Sequence, residues 1–318
     1  MSRNLALDLL KVVLALMVVA LHSRFLADVS PLATFLTVDG LFRIAVPIFF
    51  LISGFYFYPA VIKKNHVKWI TRIVLLYAFW MLFYAYFWFR PTSFSGAEML
   101  RLTGIVLGGY YHLWYMVGII GSALLLVSMK HWPLRYLLML SLGAFLLGVA
   151  IQYTALYYRF SDTAVNDLLS RPESHRNILL LAFPFFCGGF LISKSGIHTR
   201  LGLRIPLIAS LVGILLLVTE AYLNYDALHQ VEGIDNLLTL ILVCPALFIL
   251  IINLDVRGNI PHLAQYSTAI YFVHVFFLFT FLKFFSFTAS LMTLIVVCAS
   301  VMAAYVLVRA SKRFNFIL

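Results

Sequence analysis

Apolar runs long enough to cross a lipid bilayer recur along the whole of this 318-residue chain. The hydrocarbon core of a bilayer is about 30 Å thick, and a helix needs about 20 mostly apolar residues to cross it. Hydrophobic residues make up 63% of the chain and charged residues only 11%, which excludes an ordinary soluble domain. We count ten such runs: 12–29, 40–60, 73–90, 104–128, 134–152, 178–193, 205–222, 236–253, 266–285 and 288–308. The sequence therefore predicts an all-α, polytopic membrane bundle of about ten transmembrane helices, with residues 1–318 forming a single domain.

Two of these runs are irregular. The sixth, 178–193, is short, and Gly108 and Gly109 interrupt the fourth, because paired glycines favour a break in a helix. The first run follows a short leader, but no small-x-small cleavage site comes after it and Asp8 is unusual for a signal peptide. We therefore expect the first run to remain in the protein as a membrane helix.

The distribution of charge predicts the orientation of the helices. With the N-terminus placed in the cytoplasm, 15 of the 23 lysines and arginines fall on the cytoplasmic side, and 10 of the 12 acidic residues fall outside. Basic residues concentrate in this way in the cytoplasmic connections of membrane proteins. The net charge of +11 therefore indicates topology rather than nucleic-acid binding. We expect both termini to be cytoplasmic, and membrane lipids but no nucleic acid among the partners.

Two polar connections bear on a possible site. Residues 153–177, one of the longest outer connections, are expected to form a partly ordered lip over an outward-facing site. Residues 61–72, on the inner side, are strongly basic. Their charge either anchors the topology or attracts an anionic cytosolic ligand such as a phosphorylated cofactor.

A stripe of ionisable residues runs along the first apolar run. His22 follows Lys11 by eleven residues, which places both side chains on one helical face about 16 Å apart along the axis. Asp8 precedes Lys11 by three residues and falls within about 40° of His22 on the same helical wheel. Such a stripe in a membrane helix normally faces a protein interior or a cavity. It is therefore the strongest indication of chemistry in the chain.

Further polar groups lie in or beside the other apolar runs, and they are secondary candidates for a site. They are Arg43, Ser53, Arg72, His112, Trp114, Ser267, Tyr271 and His274. Ser267, Tyr271 and His274 share one helical face. For His112 and His274, bonding between helices is as good an interpretation as chemistry. Arg43, Arg72 and Lys11 could instead extend to the membrane interfaces, and Arg72 fits that alternative best.

Histidine suits general-base chemistry in such a place, because imidazole exchanges protons near neutral pH. It can activate a hydroxyl for attack on an acyl donor, or carry the acyl group itself. Arginine and lysine suit phosphates or a developing oxyanion. The sequence contains no phosphate-binding glycine loop, no G-x-S-x-G motif and no H-E-x-x-H motif, and its three cysteines lack metal-ligand spacing. We expect no metal.

At these residues the chain resembles the membrane acyltransferase family 3, in particular the short O-acetyltransferases of cell-envelope antigens such as enterobacterial common antigen. The segment LDLLKVVLALMVVALH (7–22) is similar to the first-helix pattern of the family, and VPIFFLISGFYF (46–57), with Arg43 before it, to the second. Arg72, YHLWYM (111–116) and YSTAIYFVH (266–274) follow in the expected order. One departure is Lys11, where the family usually has arginine, which would bind phosphate with a planar two-pronged group.

The resemblance implies an O-acyltransferase, most often an O-acetyltransferase, in a bacterial inner membrane. The donor would be cytosolic acyl-CoA, usually acetyl-CoA, and the acceptor a hydroxyl of a cell-envelope glycan or lipid-linked saccharide. His22 would be the catalytic base or a transient acyl carrier, and Asp8 would orient Lys11. Lys11, Arg43 and Arg72 would stabilise donor or intermediate. The residues expected to line the site are Ser53, His112, Trp114, Tyr271 and His274.

Two other classes of function are open to such a chain. A transporter or flippase for an anionic or glycolipid substrate also places charges and histidines inside the membrane, as a proton-coupling path. A non-enzymatic scaffold could use polar groups only to join helices, but it has no need of the charged face formed by Asp8, Lys11 and His22. Oligomeric state is open.

Overall fold

The computed structural model describes residues 4–93, 95–227, 233–254, 256, 258, 260, 262–314 and 316–318. Within these residues, nine helices are long and apolar enough to cross a membrane, and a tenth apolar helix, Leu240–Asn253, is shorter. The prediction of a polytopic helical membrane bundle is confirmed. The short helix is the eighth of the series, however, and not the sixth, because the sixth extends over Ile178–Ser195.

We number the main helices of the described chain in order. They are α1 (Leu5–His22), α2 (Ala45–Ile62), α3 (His66–Phe83), α4 (Gly96–Gly108), α5 (Trp114–Ser128), α6 (Leu134–Tyr157), α7 (Phe183–Ser195), α8 (Arg204–Ala227), α9 (Leu240–Asn253), α10 (Leu263–Phe284) and α11 (Ala289–Ser311). Irregular helical turns lead directly into α2 and α7, so that the apolar spans they belong to are Pro31–Ile62 and Ile178–Ser195.

The start of α1 lies seven residues before the predicted start. The side chain of Asn4 accepts a hydrogen bond from the Leu7 main-chain nitrogen and so caps the helix. The prediction placed Asp8 and Lys11 on the same helical face as His22, but it began the apolar run itself at residue 12, after the charged side chain of Lys11. In the structure Lys11 pairs with Asp8 one turn away, and so both charges are accommodated within the helix.

The predicted interruption of the fourth run occurs at Gly109. α4 ends at Gly108, and Gly109 has φ +86°, a left-handed conformation that favours glycine. A Cβ atom at Gly109 would lie 2.6 Å from the Trp114 main-chain nitrogen. The chain therefore turns sharply there, makes a 3₁₀ turn at Tyr111–Leu113 and continues as α5.

α2 and α7 pack with their main chains in contact. A Cβ atom added at Gly54 would lie 1.8 Å from the main-chain oxygen of Phe186, and one at Gly189 would lie 1.9 Å from that of Leu51. Small residues allow membrane helices to approach in this way. Gly54 belongs to the segment VPIFFLISGFYF (46–57) that was noted in the sequence. In the structure this glycine has a packing role.

α1 and α10 lie side by side and run in the same direction. Ser267 donates a hydrogen bond to the main-chain oxygen of Lys11, and further along both helices His274 lies beside His22. We call the membrane face at which α1 begins the inner face, and the face at which it ends the outer face. The correspondence of the inner face with the cytoplasm stays a prediction from charge.

Candidate active site

Three histidines that are remote in sequence meet between α1, α5 and α10. The ring of His22, at the outer end of α1, stacks on the ring of His274 with the centroids 5.3 Å apart. His274 in turn lies against His112, with a centroid distance of 5.1 Å. His112 and His274 are fully buried, whereas His22 is half-buried. Of the three clustered histidines, therefore, only His22 is accessible from outside the protein.

A strained turn places His112 in this cluster. Besides Gly109, Tyr111 has positive φ, at +48°, which is uncommon for a residue with a side chain. The ring of Tyr111 packs on His22 with the centroids 4.9 Å apart. The hydroxyl of Tyr271 donates to the main-chain oxygen of His112 at 2.5 Å. Strain of this kind is often retained at functional sites.

The hydrogen bond of His274 determines which ring nitrogen carries the proton. Its Nδ1 lies 2.6 Å from the main-chain oxygen of Tyr271. A carbonyl oxygen can only accept, so Nδ1 must donate, and in the neutral ring Nε2 is then the proton acceptor. His274 is thereby held in one tautomer, with its basic nitrogen directed away from its own helix turn.

A large cavity opens on the outer side of the histidine cluster. Its volume is about 1240 Å³. It is lined by His22, Tyr111 and Trp114 and by an arginine from each of four segments, Arg24, Arg43, Arg101 and Arg176, together with other residues. Pro172, Glu173, Arg176 and Asn177 of the outer connection border it. The last part of the predicted outer connection, residues 172–177, therefore borders this cavity, whereas residues 153–157 belong to α6.

Arg43 is held beside this cavity by two aspartates. Its Nη2 donates to Asp39 at 2.5 Å and its Nη1 donates to Asp235. The side chain of Arg43 is only 10% exposed, and so it does not extend to the lipid interface. Arg24 and Arg176 join the same group, at 3.3 Å from Asp39 and 3.2 Å from Asp235.

Asp235 is the centre of the outer part of this network. Burial raises the pKa of its carboxyl, but Arg43 and Arg176 outweigh burial, so that the pKa lies well below its usual value. The main-chain nitrogens of Asp235 and Asn236 both donate to the side-chain oxygen of Gln152 on α6, at 2.8 and 3.0 Å. The network therefore joins α2, α6 and the outer connections around His22.

Trp114 contributes an aromatic surface to the same cavity. The guanidinium group of Arg176 lies 5.4 Å from the centre of its ring, a cation–π arrangement. Tyr111, 43% exposed, adds a second ring nearby. An aromatic surface edged by charged groups is suited to a polar organic ligand.

The stripe of α1 extends away from this cavity toward the inner face. Lys11 lies 3.2 Å from Asp8 and its ammonium group 5.7 Å from the ring centre of Tyr56. Its side chain is 19% exposed and that of Asp8 is 5% exposed. Lys11 is therefore not extended into solvent, and it lies about 16 Å along the helix from His22.

A smaller cavity of about 260 Å³ opens near the inner face. It brings together four residues that the sequence indicated, Ser53, Arg72, Ser267 and Tyr271, as well as Tyr115. Ser53 donates to the main-chain oxygen of Phe49 at 2.8 Å and lies 3.2 Å from the Tyr115 hydroxyl. Neither Asp8 nor Lys11 is among the described residues that line either of these two cavities.

Tyr271 connects the inner cavity with the histidine cluster. Its side chain lines the inner cavity, and its hydroxyl bonds to His112. From there the contacting rings of His112, His274 and His22 lead to the outer cavity. These four side chains, which we call the histidine layer, therefore connect the two cavities.

Comparison with known proteins shows the family. The family model described as "Acyltransferase domain", acyltransferase 3, matches residues 4–309. The chain belongs to the acyltransferase 3 family. The resemblance to this family noted in the sequence is thus confirmed. The family's first-helix, second-helix and late-histidine segments are the ones that supply His22, Arg43 and His274.

Two relatives are named as racemases and not as acyltransferases. A serine/alanine racemase of Enterococcus gallinarum is 28% identical over 295 residues, covering 86% of this chain and 40% of the relative. An amino-acid racemase of Enterococcus faecalis is 27% identical over 159 residues, covering 45% of this chain and 22% of the relative. The chain thus spans less than half the length of either relative. No solved structure matches.

Several residues of the outer cavity, and of the ion-pair network beside it, were not singled out from the sequence. Asp39 could have been found, because it precedes Arg43 by four residues and so shares its helical face. Tyr111 and Arg176 lie in segments that the sequence analysis named, but neither residue was singled out within its segment. Asp235 lies in an irregular connection that is far from Arg43 and Arg176 in the sequence, and no local sequence pattern identifies it.

Proposed function

We propose that this acyltransferase moves an acyl group, in the first place acetyl, from cytosolic acyl-CoA to a hydroxyl of a cell-envelope glycan or lipid-linked saccharide. The reaction would take place in the cytoplasmic (inner) membrane of a bacterium. One observation carries the proposal: Tyr271, which lines the inner cavity, is joined through the contacting rings of His112 and His274 to His22, which lines the outer cavity. Donor and acceptor can then reach this chain of rings from different sides.

The inner cavity is the proposed donor side. Acyl-CoA is large and anionic, and Arg72, near the inner end of α3, lines the opening of this cavity. Lys63, Lys64 and Lys68 add positive charge at the same face, which would attract phosphates. Lys11, paired with Asp8, lies in the inner half of α1 and is assigned to the electrostatic stabilisation of the donor.

The outer cavity is the proposed acceptor side. Its volume of about 1240 Å³ exceeds that of most small-molecule sites, which leaves room for a saccharide unit with its substituents. Trp114 and Tyr111 offer ring faces to the apolar face of a sugar. Arg43 and Arg176, fixed by Asp235, would orient its hydroxyls or an acidic group.

The transfer can be written with His22 as general base. The acceptor hydroxyl attacks the thioester carbonyl carbon while a ring nitrogen of His22 takes the hydroxyl proton. A carbon–oxygen bond forms, the carbon–sulfur bond breaks, and His22 returns the proton to the CoA thiolate. The cationic form of His22 is transient.

His22 can alternatively act as the acyl carrier. A ring nitrogen then attacks the thioester, the carbon–sulfur bond breaks, and the other ring nitrogen gives its proton to the departing thiolate. The acceptor hydroxyl next takes the acyl group and returns a proton to the ring. His274 would assist either route by accepting a proton at Nε2.

The test uses sealed inside-out membrane vesicles supplied with acetyl-CoA that carries label in its acetyl group. Transfer of label to lipid-linked or polymeric glycan, with release of free CoA, is the expected result. Movement of glycan driven by an ion gradient, without consumption of acetyl-CoA, would instead favour the transporter alternative and contradict the proposal. Vesicles from cells without the protein provide the background.

A further inference from the structure

The segment Phe316–Leu318 folds back into the inner cavity. Leu318 is among the residues that line the cavity, and it is 6% exposed, while Ile317 is 8% exposed. The ring of Phe316 packs edge-on against Phe79 of α3 with the centroids 5.6 Å apart. These residues follow α11, whose helical turns end at Ser311. The segment thus crosses from α11 to α3 and covers one side of the cavity.

Two side-chain donors of α3 bond to the main chain of this segment. Nε1 of Trp80 donates to the main-chain oxygen of Ile317 at 3.1 Å. Nη2 of Arg72 donates to the main-chain oxygen of Leu318 at 3.2 Å. Both bonds go to the main chain and not to a side chain. The two donors therefore bond to the successive main-chain oxygens of Ile317 and Leu318.

The proposed donor has the same chemistry. The pantetheine arm of CoA is a thin, extended chain with two amide groups, and the acyl thioester is at its tip. An arm that enters the inner cavity toward Tyr271 must pass Arg72, because both side chains line the same narrow space. The volume of about 260 Å³ is the space that remains with the segment in place, and an arm that reaches Arg72 meets a donor that already bonds to Leu318.

We propose that the segment Phe316–Leu318 is an internal competitor of acyl-CoA in the inner cavity. The segment leaves Arg72 and Trp80 when the pantetheine arm enters, and it closes the cavity again after CoA has departed. It thereby shields the histidine layer from cytosolic water between turnovers. This inference rests on the proposed donor, and the first experiment below does not depend on acyl transfer.

The first experiment measures access to the cavity. Thr268 lines it, and a Thr268→Cys variant can be labelled from the inner face with a membrane-impermeant maleimide in inside-out vesicles. We expect an added Ile317→Ser/Leu318→Ser substitution to raise the labelling rate at least threefold. Val67→Ser is the matched control, because Val67 is 66% exposed at the inner end of α3 and is not among the residues that line the cavity.

Unchanged labelling, in protein that elutes as the native does in detergent, would overturn the proposal. Protein without Thr268→Cys corrects for reaction at the three native cysteines. Leu318→Ala is the milder variant if the double serine variant fails to fold. We expect it to raise the labelling rate as well, by a smaller factor.

The second experiment measures the effect on the donor. In the double serine variant we expect the KM for acetyl-CoA to fall about fivefold, with kcat unchanged or slightly lower. An unchanged or raised KM would overturn the proposal, because the segment would then be part of the cavity wall. A native protein that consumes no acetyl-CoA would refute the proposed donor, whereas the labelling experiment would still decide whether the segment covers the cavity.

Discussion

The rings of His22 and His274 stack at 5.3 Å, although one lies at the end of α1 and the other in the middle of α10. The stacking depends on the parallel course of the two helices and on the bond from Ser267 to the main chain of Lys11. Because His274 donates from Nδ1 to Tyr271, its Nε2 is left as the proton acceptor. His22 is therefore placed between an exposed cavity and a second, buried base.

His274→Gln is expected to lower kcat by 10- to 100-fold and to leave the KM for acetyl-CoA unchanged. Glutamine can still donate a hydrogen bond, but it cannot take a proton, and proton transfer by a side chain contributes about 10²–10⁴-fold. The measurement is labelled acetyl transfer across pH 5.5–8.5. A purely structural role would change the amount of folded protein and not the shape of the pH profile. An unaltered kcat in well-folded protein would exclude His274 from the chemistry.

Asp235→Asn is expected to destabilise the outer network. The substitution keeps the shape but removes the negative charge that Arg43 and Arg176 share. Arg43 retains Asp39, and so the loss should be roughly 1–3 kcal/mol, as for a buried group left partly unsatisfied. Thermal unfolding in detergent measures it. Asp162→Asn, on the exposed outer connection, is the control and should not change the midpoint.

The same carboxylate predicts a dependence on pH. The pKa of Asp235 is lowered in the folded protein, below an unfolded value of about 3.9. Its contribution is therefore complete at neutral pH and is lost as the pH falls below about 4. The native protein should lose stability in that range faster than Asp235→Asn does. Parallel curves for the two proteins would show that Asp235 does not carry this contribution.

Gly54→Ala is expected to prevent correct packing of α2 against α7. The new Cβ would overlap the main chain of Phe186, which cannot move as a flexible side chain can. The amount of protein that is monodisperse in detergent should fall at least fivefold. Gly143→Ala is the matched control, since Gly143 lies on α6 with open space around it. Equal yields of the two variants would contradict the close contact.

Lys11→Arg is expected to preserve transfer within about threefold, whereas Lys11→Gln should raise the KM for acetyl-CoA about tenfold or more. Arginine keeps the positive charge beside Asp8, and glutamine removes it. The donor dependence of labelled transfer is the measurement. A tenfold loss in both variants would mean that the lysine geometry itself is needed. An unchanged KM in Lys11→Gln would show that Lys11 does not stabilise the donor.

Much of the fold could be predicted from the sequence, because a membrane helix is recognisable as a run of about 20 apolar residues. The break at Gly109 was also predictable, because two glycines interrupt one run. The ends of the helices were not. α1 begins at Leu5 because Asp8 and Lys11 neutralise each other within one turn, and a count of apolar residues cannot detect that pairing.

The residues that meet at the candidate site could be predicted where the pattern lies within one helix. His22 on α1 and the face of Tyr271 and His274 on α10 are of this kind, whereas Asp8 and Lys11 line neither cavity. The partners of Arg43 depend on long-range contacts, since Asp235 reaches it from a connection that Gln152 holds in place. A single sequence contains no local signal for such a contact. The inward fold of Leu318 onto Arg72 is a second example.

The most direct test of the central claim compares the native protein with His22→Ala and His131→Ala in membranes matched for insertion. His131 lies exposed in the connection between α5 and α6 and serves as the control histidine. With acetyl-CoA labelled in its acetyl group, transfer to glycan should persist in the native protein and in His131→Ala. It should fall by about 10²-fold or more in His22→Ala. Equal transfer in all three would contradict the account and move the catalytic base away from His22.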